Sequence, residues 1–273
     1  MEIMILDTLA AAARARVDKL EKVKNLAAVR AEAEQIHKQA ATDGRRISAS
    51  GAKSFLVNLQ RPGLNFICEC KKASPSKGLI SPEFPYLDIA KAYERGGGAA
   101  ISVLTEPEYF LGSDVYLQEI VEQVNLPVLR KDFTVSPYQI YEAKTLGASS
   151  VLLICAILPA SQLEEYRLEA ESIGLDALVE THDGREIETA LKSGARIIGI
   201  NNRNLKDFTV DIRTCLQLRK EIPIDCVCIA ESGIRNEDDI RSLKSKGFNG
   251  VLIGETLMRS GNPEEMLRKL RKA

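Results

Sequence analysis

The chain has little of what many function classes require. Histidine occurs twice, at His37 and His182, and neither stands in a cluster of metal-ligand type. Aromatic residues make up only 5%. Charge of neither sign prevails, since 37 basic and 38 acidic residues leave a net charge of −1. That balance removes the electrostatic case for a nucleic-acid partner, which wants a concentrated basic face. An anion pocket built locally stays open. No apolar run approaches the ~18 residues of a membrane span. The first twenty residues carry Asp7, Arg14, Arg16, Asp18 and Lys19, so no secretory leader is expected. The expected compartment is the cytoplasm.

Common zinc spacing is missing too. Cys68 and Cys70, like Cys226 and Cys228, are separated by one residue rather than two. Each pair lies in an apolar, strand-like run, where positions i and i+2 share a face. These thiols, with Cys155 and Cys215, are expected to be core cysteines in a reducing compartment.

What is present is aliphatic and alternating. With 273 residues and 45% hydrophobic content, the chain fits one α/β barrel domain plus a short extension. Residues 1 to about 50 read as mostly helix. Leu9, Ala13, Val17 and Leu20 recur at helical spacing, with Asp7 placed to start the first turn. A second helical piece covers 26–41, interrupted by Gly44 and by 48–51. This extension could cover a barrel end or pair with another subunit.

From Asn65 onward eight short runs rich in aliphatic residues alternate with charged helical stretches: 66–71, 99–105, 127–133, 149–158, 175–180, 195–202, 226–232 and 250–255. Stretches such as 137–146, 161–173 and 236–246 supply the helices. Such alternation predicts a parallel sheet buried on both faces. Gly98, Gly147, Gly194 and Gly247 each end a helical stretch before every second strand, where glycine adopts a positive φ without a Cβ clash. No glycine-rich dinucleotide fingerprint follows the first strand, which favours a closed barrel over a doubly wound sheet. The predicted fold is α/β, a (β/α)₈ TIM barrel at 51–273 behind a helical extension at 1–50.

Such barrels place their sites at the C-terminal ends of the strands. There the sequence has Glu69 and Lys71 after strand one, Lys131 after strand three, Glu180 after strand five, Asn201 and Arg203 after strand six, and Glu231 with Ser232 after strand seven. If Cys68 and Cys70 face outward, Glu69 and Lys71 face the interior, where an unpaired charge is costly. A self-satisfied Glu–Lys pair at the rim is the plain alternative. Charges converging from several strands argue instead for a site that holds acids and bases of unlike pKa. Gly233 and Gly254 follow strands seven and eight, the usual phosphate position, where glycine lets backbone N–H groups approach an anion.

Seven segments in order carry a family resemblance: ECKKASPSKG (69–78), YFLGS (109–113), LRKDF (129–133), LVETHD (178–183), INNRNL (200–205), AESGI (230–234) and LIGETLM (252–258). Together they resemble indole-3-glycerol phosphate synthase across the whole barrel, and the helical extension matches as well. The resemblance implies ring closure of 1-(2-carboxyphenylamino)-1-deoxyribulose 5-phosphate to indole-3-glycerol phosphate, with loss of carbon dioxide and water. It implies Lys131 as general acid, in a cation-rich site expected to lower its pKa. Glu180 takes the proton-transfer role in dehydration, and Lys71 that of a second lysine holding the substrate. Glu69, Asn201 and Ser232 become orienting groups. Arg203 suits the anthranilate carboxylate. Ser74, Gly233 and Gly254 are expected at anionic oxygens, Glu231 in the substrate pocket, and Phe110 and Phe133 against the aromatic ring unless they are ordinary core. Glu255 stands where many relatives have serine; an inward side chain would repel phosphate. Neither cofactor nor metal is implied, and the expected state is a monomer or weak homodimer acting on a phosphorylated small molecule. A Schiff-base aldolase using Lys131 or Lys71, and a non-catalytic metabolite-binding barrel, are the competing readings.

Overall fold

The computed structural model describes residues 5–42, 54–205 and 207–273. Gly44, the stretch 48–51 and the expected boundary after residue 50 lie outside them. Eight strands form a closed barrel: β1 Asn65–Cys70, β2 Ala100–Leu104, β3 Val128–Lys131, β4 Ser150–Ile154, β5 Asp176–Thr181, β6 Ile197–Asn201, β7 Val227–Glu231 and β8 Gly250–Ile253. Every pairing is parallel, and β1 closes the ring by bonding β2 on one side and β8 on the other. The fourth strand is shorter than its apolar run, because residues 155–157 turn away ahead of the next helix.

Alternation sorts the side chains into two cores. Ile67, Leu129, Leu152, Leu178, Ile197, Ile229 and Leu252 fill the barrel interior. Cys68, Cys70, Val103, Leu153, Ile198 and Cys228 pack outward with the surrounding helices. All six cysteines are free. A short helix, α3 (Phe55–Leu59), plugs the N-terminal end of the barrel with Phe55 and Leu59, both fully buried. Asp176 fixes that plug by accepting bonds from the Ser54 hydroxyl and the Leu56 amide.

The extension forms α1 (Ile5–Val23) and α2 (Leu26–Thr42). The predicted stripe is the packed face of α1: Leu9, Ala13 and Val17 are buried. Ala10 and Ala13 lie on Val135, beside Phe133 and Ile157, and so over the C-terminal mouth. The extension therefore covers a barrel end. Glycine marks three of the four expected helix–strand turns with positive φ, at Gly147, Gly194 and Gly247. Before β2 the left-handed residue is Gly97 rather than Gly98, because the preceding helix, α4 (Tyr86–Gly96), ends one residue earlier than read.

Candidate functional site

One cavity of about 400 Å³ opens at the C-terminal mouth, and all fourteen residues singled out from the sequence line it. Three layers build it. At the floor, β1, β3, β5 and β7 each raise one charged side chain just above the aliphatic interior: Glu69, Lys131, Glu180 and Glu231. Only the lysine keeps more than marginal side-chain exposure. Lys131 Nζ lies 3.0 Å from Glu180 Oε2 and 3.9 Å from Glu231 Oε2. Lys71 pairs directly with Glu69. Asn201, from β6, donates to Glu180 Oε1 at 3.1 Å and accepts the Arg203 amide at 3.0 Å.

The electrostatics correct one expectation. The surroundings of Lys131 are rich in carboxylates, not cations. Burial works against its charge, but Glu180, Glu231 and Glu69 outweigh it and raise the pKa above the usual lysine value. Glu180 is the mirror case. Burial disfavours its charge, yet Lys131, His182 and Asn201 hold it well below the ordinary carboxylate range. Glu231 goes the other way, pushed up to about 8 by burial and by the neighbouring Glu180, against the attraction of Lys131. Its Oε1 has no hydrogen-bond partner among the described residues and presses on Gly199, where an added Cβ would lie 2.0 Å away. Glu180 and Glu231 thus flank one ammonium, and Glu180 ionises more easily than Glu231.

The second layer is cationic and lies toward β7 and β8. Lys77, Arg235 and Arg259 line the cavity beside Ser74, Gly233 and Gly254. Ser74 is held by a two-residue ribbon, Ala73–Ser74 against Gly78–Leu79. Ser232 and Gly233 both adopt positive φ, and a Cβ on Gly233 would meet Val210 at 2.5 Å. Gly254 has a further reason to lack a side chain, since its Cβ would lie 2.5 Å from Glu69 Oε2. The Glu255 carboxylate is 3.6 Å from Lys77 and 3.3 Å from Arg259, so two cations neutralise the charge that gave concern.

The third layer is apolar and forms the roof. The rings of Phe110 and Phe133 lie 6.1 Å apart and tilted, facing Ile5, Leu6 and Leu9 of α1 across the opening. Arg203 stands at the edge, its guanidinium bonded to the Phe208 carbonyl at 3.4 Å. It has no carboxylate partner among the described residues.

Sequence reasoning missed several participants. Arg235 and Arg259 had local signals, one following the Ser232–Gly233 turn and the other a helical turn beyond Glu255. Arg16 had none: it reaches Asp132 at 2.6 Å across 116 positions of chain. His182, set aside earlier, lies between Glu180 and Glu186, with Nε2 3.4 Å from the first and Nδ1 3.0 Å from the second. Burial opposes its charge, but the two carboxylates raise its pKa to about 10.

Fold and site define a barrel of the enzymatic kind, with ionisable groups from alternate strands gathered under an anion-attracting rim. The comparisons narrow this further. A family model described as indole-3-glycerol phosphate synthase matches residues 6–270, and the chain belongs to that family. Indole-3-glycerol phosphate synthase from Ruminiclostridium cellulolyticum is 51% identical over 98% of this chain and 99% of its own. The protein of that name from Endomicrobium trichonymphae is 50% identical over 98% and 100% respectively. Among solved structures, a mutant tryptophan synthase alpha-subunit from Pyrococcus furiosus superposes with a TM-score of 0.59 at 14% identity, over 77% of this chain and 98% of its own. That likeness carries the fold alone.

Proposed function

We propose that this chain converts 1-(2-carboxyphenylamino)-1-deoxyribulose 5-phosphate to indole-3-glycerol phosphate, releasing carbon dioxide and water, as a carboxy-lyase of tryptophan biosynthesis. The observation that carries this reading is the Lys131–Glu180 pair at 3.0 Å, set between an apolar roof and a cationic rim in one cavity. The substrate has matching parts: an aromatic acid, a ketone sugar and a phosphate.

The phosphate goes to the rim of Ser74, Gly233, Gly254, Lys77 and Arg259, where Glu255 gives up its cations to a stronger anion. The anthranilate carboxylate goes to Arg203, whose planar fork bonds the Phe208 carbonyl and, among the described residues, no carboxylate. The aromatic ring packs on Phe110 and Phe133. Lys131 donates its proton to the ketone oxygen as the ring carbon attacks. Its raised pKa keeps it fully protonated at neutral pH, so it is always in the acid state; the growing charge on the substrate oxygen, not an inherently weak ammonium, draws the proton off. Loss of carbon dioxide restores the aromatic ring. Glu180, held ionised, moves the proton that accompanies departure of the hydroxyl as water. Lys71, paired with Glu69, steadies the substrate oxygens, and Asn201 and Ser232 orient these groups. The reaction balances without a cofactor. The chain works in the cytoplasm on a phosphorylated small molecule, as a monomer or weak homodimer.

Turnover of the named substrate, followed by indole absorbance or fluorescence, is the direct test. Lys131→Ala is expected to fold normally and to lose roughly 10²-fold or more in kcat. Borohydride trapping of a covalent lysine adduct, with no indole formed, would replace this reading with a Schiff-base lyase.

A further inference from the structure

Each oxygen of Glu180 has a different neighbourhood. Oε2 meets Lys131 at 3.0 Å on the cavity side. Oε1 accepts the Asn201 amide at 3.1 Å and lies 3.4 Å from His182 Nε2. The imidazole is itself anchored from behind. Its Nδ1 lies 3.0 Å from Glu186 Oε2, and the same oxygen accepts the His182 backbone N–H at 2.8 Å. Glu186 is fixed in turn at the start of the helix Gly184–Lys192, where Asp183 caps the helix by accepting the Glu186 amide at 2.9 Å. His182 does not line the cavity. It contacts the working carboxylate from the protein side only.

We propose that His182 is a positioning residue for the acid–base carboxylate: anchored by Glu186, it joins Asn201 in occupying Glu180 Oε1 and leaves Oε2 as the oxygen that exchanges protons. This rests on the role given above to Glu180.

The physical argument has two parts. A carboxylate whose two oxygens were equally free could rotate about its last torsion and present either one, diluting the reactive geometry. The Asn201 hydrogen bond, and the imidazole lying 3.4 Å away as a charge contact rather than a second hydrogen bond, reduce that freedom at Oε1. An imidazole with a carboxylate beside each nitrogen also favours the doubly protonated form, since its charge then faces a negative oxygen on both sides, with a hydrogen bond at Nδ1. Its charge, beside that of Lys131, keeps Glu180 ionised although the group is buried. The charged groups around this arrangement come from several elements: Lys131 on β3, Glu180 on β5, Glu231 on β7, and Asp183 and Glu186 at the start of the helix Gly184–Lys192. Glu231 carries much of the acid character that Glu180 is denied, which divides the two carboxylates by role.

The experiment compares wild type, His182→Gln, Glu186→Gln and Glu180→Gln for kcat, KM and their pH profiles. Glutamine at 182 retains an amide donor but no charge. The expected result is a fall in kcat of roughly tenfold with KM within about twofold, a part of the 10²-fold or greater loss expected for Glu180→Gln. The acid limb of the kcat profile should move to higher pH by about half a unit or more, because Glu180 loses a cation. Glu186→Gln should move the limb in the same direction by less, with His182 left in place. A His182→Gln enzyme with unchanged kcat and unchanged acid limb overturns the proposal. So does a kcat loss that tracks a fall in Tm while the limb stays put, since that describes mere destabilisation. If His182→Gln does not fold, the Glu186→Gln limb decides alone. Should Glu180→Gln retain full turnover, the role of Glu180 itself is wrong, an outcome distinct from failure of the histidine to act through it.

Discussion

A methyl group at position 199 would lie 2.0 Å from Glu231 Oε1, so Gly199 is the residue that lets this carboxylate lie flat against β6. Gly199→Ala is expected to push Glu231 toward Lys131, disturb the pair with Glu180 and lower kcat by tenfold or more, while the exterior core goes unaltered. Kinetics beside calorimetry check this; an alanine variant with normal kcat would show that Glu231 can move without consequence. The contrast between Gly199 and Lys131 shows what was legible. Glu69, Lys71, Lys131, Glu180 and Glu231 could be found because a charged residue at the end of an apolar β-run has few reasons to be there. Gly199 sits mid-strand, where its emptiness has meaning only once the neighbouring strand is known. The pKa direction of Lys131 was misread for the same reason: the sequence shows which charges reach the mouth, but not that Glu180 and Glu231 come within 3.0 Å and 3.9 Å of that ammonium.

At the scale of elements, strand order and barrel closure followed from periodicity, and the exact turns did not. A left-handed Gly97 in place of Gly98 is a one-residue matter of where α4 runs out of bonds. The destination of α1 was legible only as a choice between two places. Its apolar stripe needs a cover, and the tertiary contacts decide where: Ala10 and Ala13 on Val135, and Arg16 on Asp132. Asp132 is buried and also accepts the Thr105 hydroxyl at 2.7 Å and the Phe133 amide at 2.8 Å, so Arg16 is one of several partners and not its sole support. Arg16→Ala should therefore cost about 1.5–3 kcal/mol, the range for a hydrogen bond to a charged group. Because α1 supplies Ile5, Leu6 and Leu9 to the roof, the same variant should raise KM more than it lowers kcat. Chemical denaturation and steady-state kinetics together would show this. A stability loss with unchanged KM would mean that α1 holds its place over the mouth through apolar contacts alone.

For the whole molecule, the site imposes a pH dependence on folding. Glu231 has a folded pKa of about 8, above the ~4.3 of an unfolded glutamate. The folded state therefore binds the extra proton, and its contribution is greatest below the unfolded value and is lost as pH rises through about 8. His182 behaves alike at higher pH: its contribution is full below ~6.5 and disappears as pH climbs toward about 10. Glu180, whose pKa is lowered, has the opposite sign, contributing above the unfolded value and losing that contribution only in acid. Between about pH 6.5 and 8 the two losses overlap, and the free enzyme should lose stability on the alkaline side. Glu231→Gln removes one titration without removing the side chain's volume. The Tm difference between Glu231→Gln and wild type should grow in the variant's favour from pH 5 to pH 8, then level off while the His182 loss continues in both proteins. A difference that stays constant across this range would mean that Glu231 ionises in the folded enzyme as readily as in the unfolded chain. The division of labour between Glu180 as the ionised carboxylate and Glu231 as the protonated one would then fail with it.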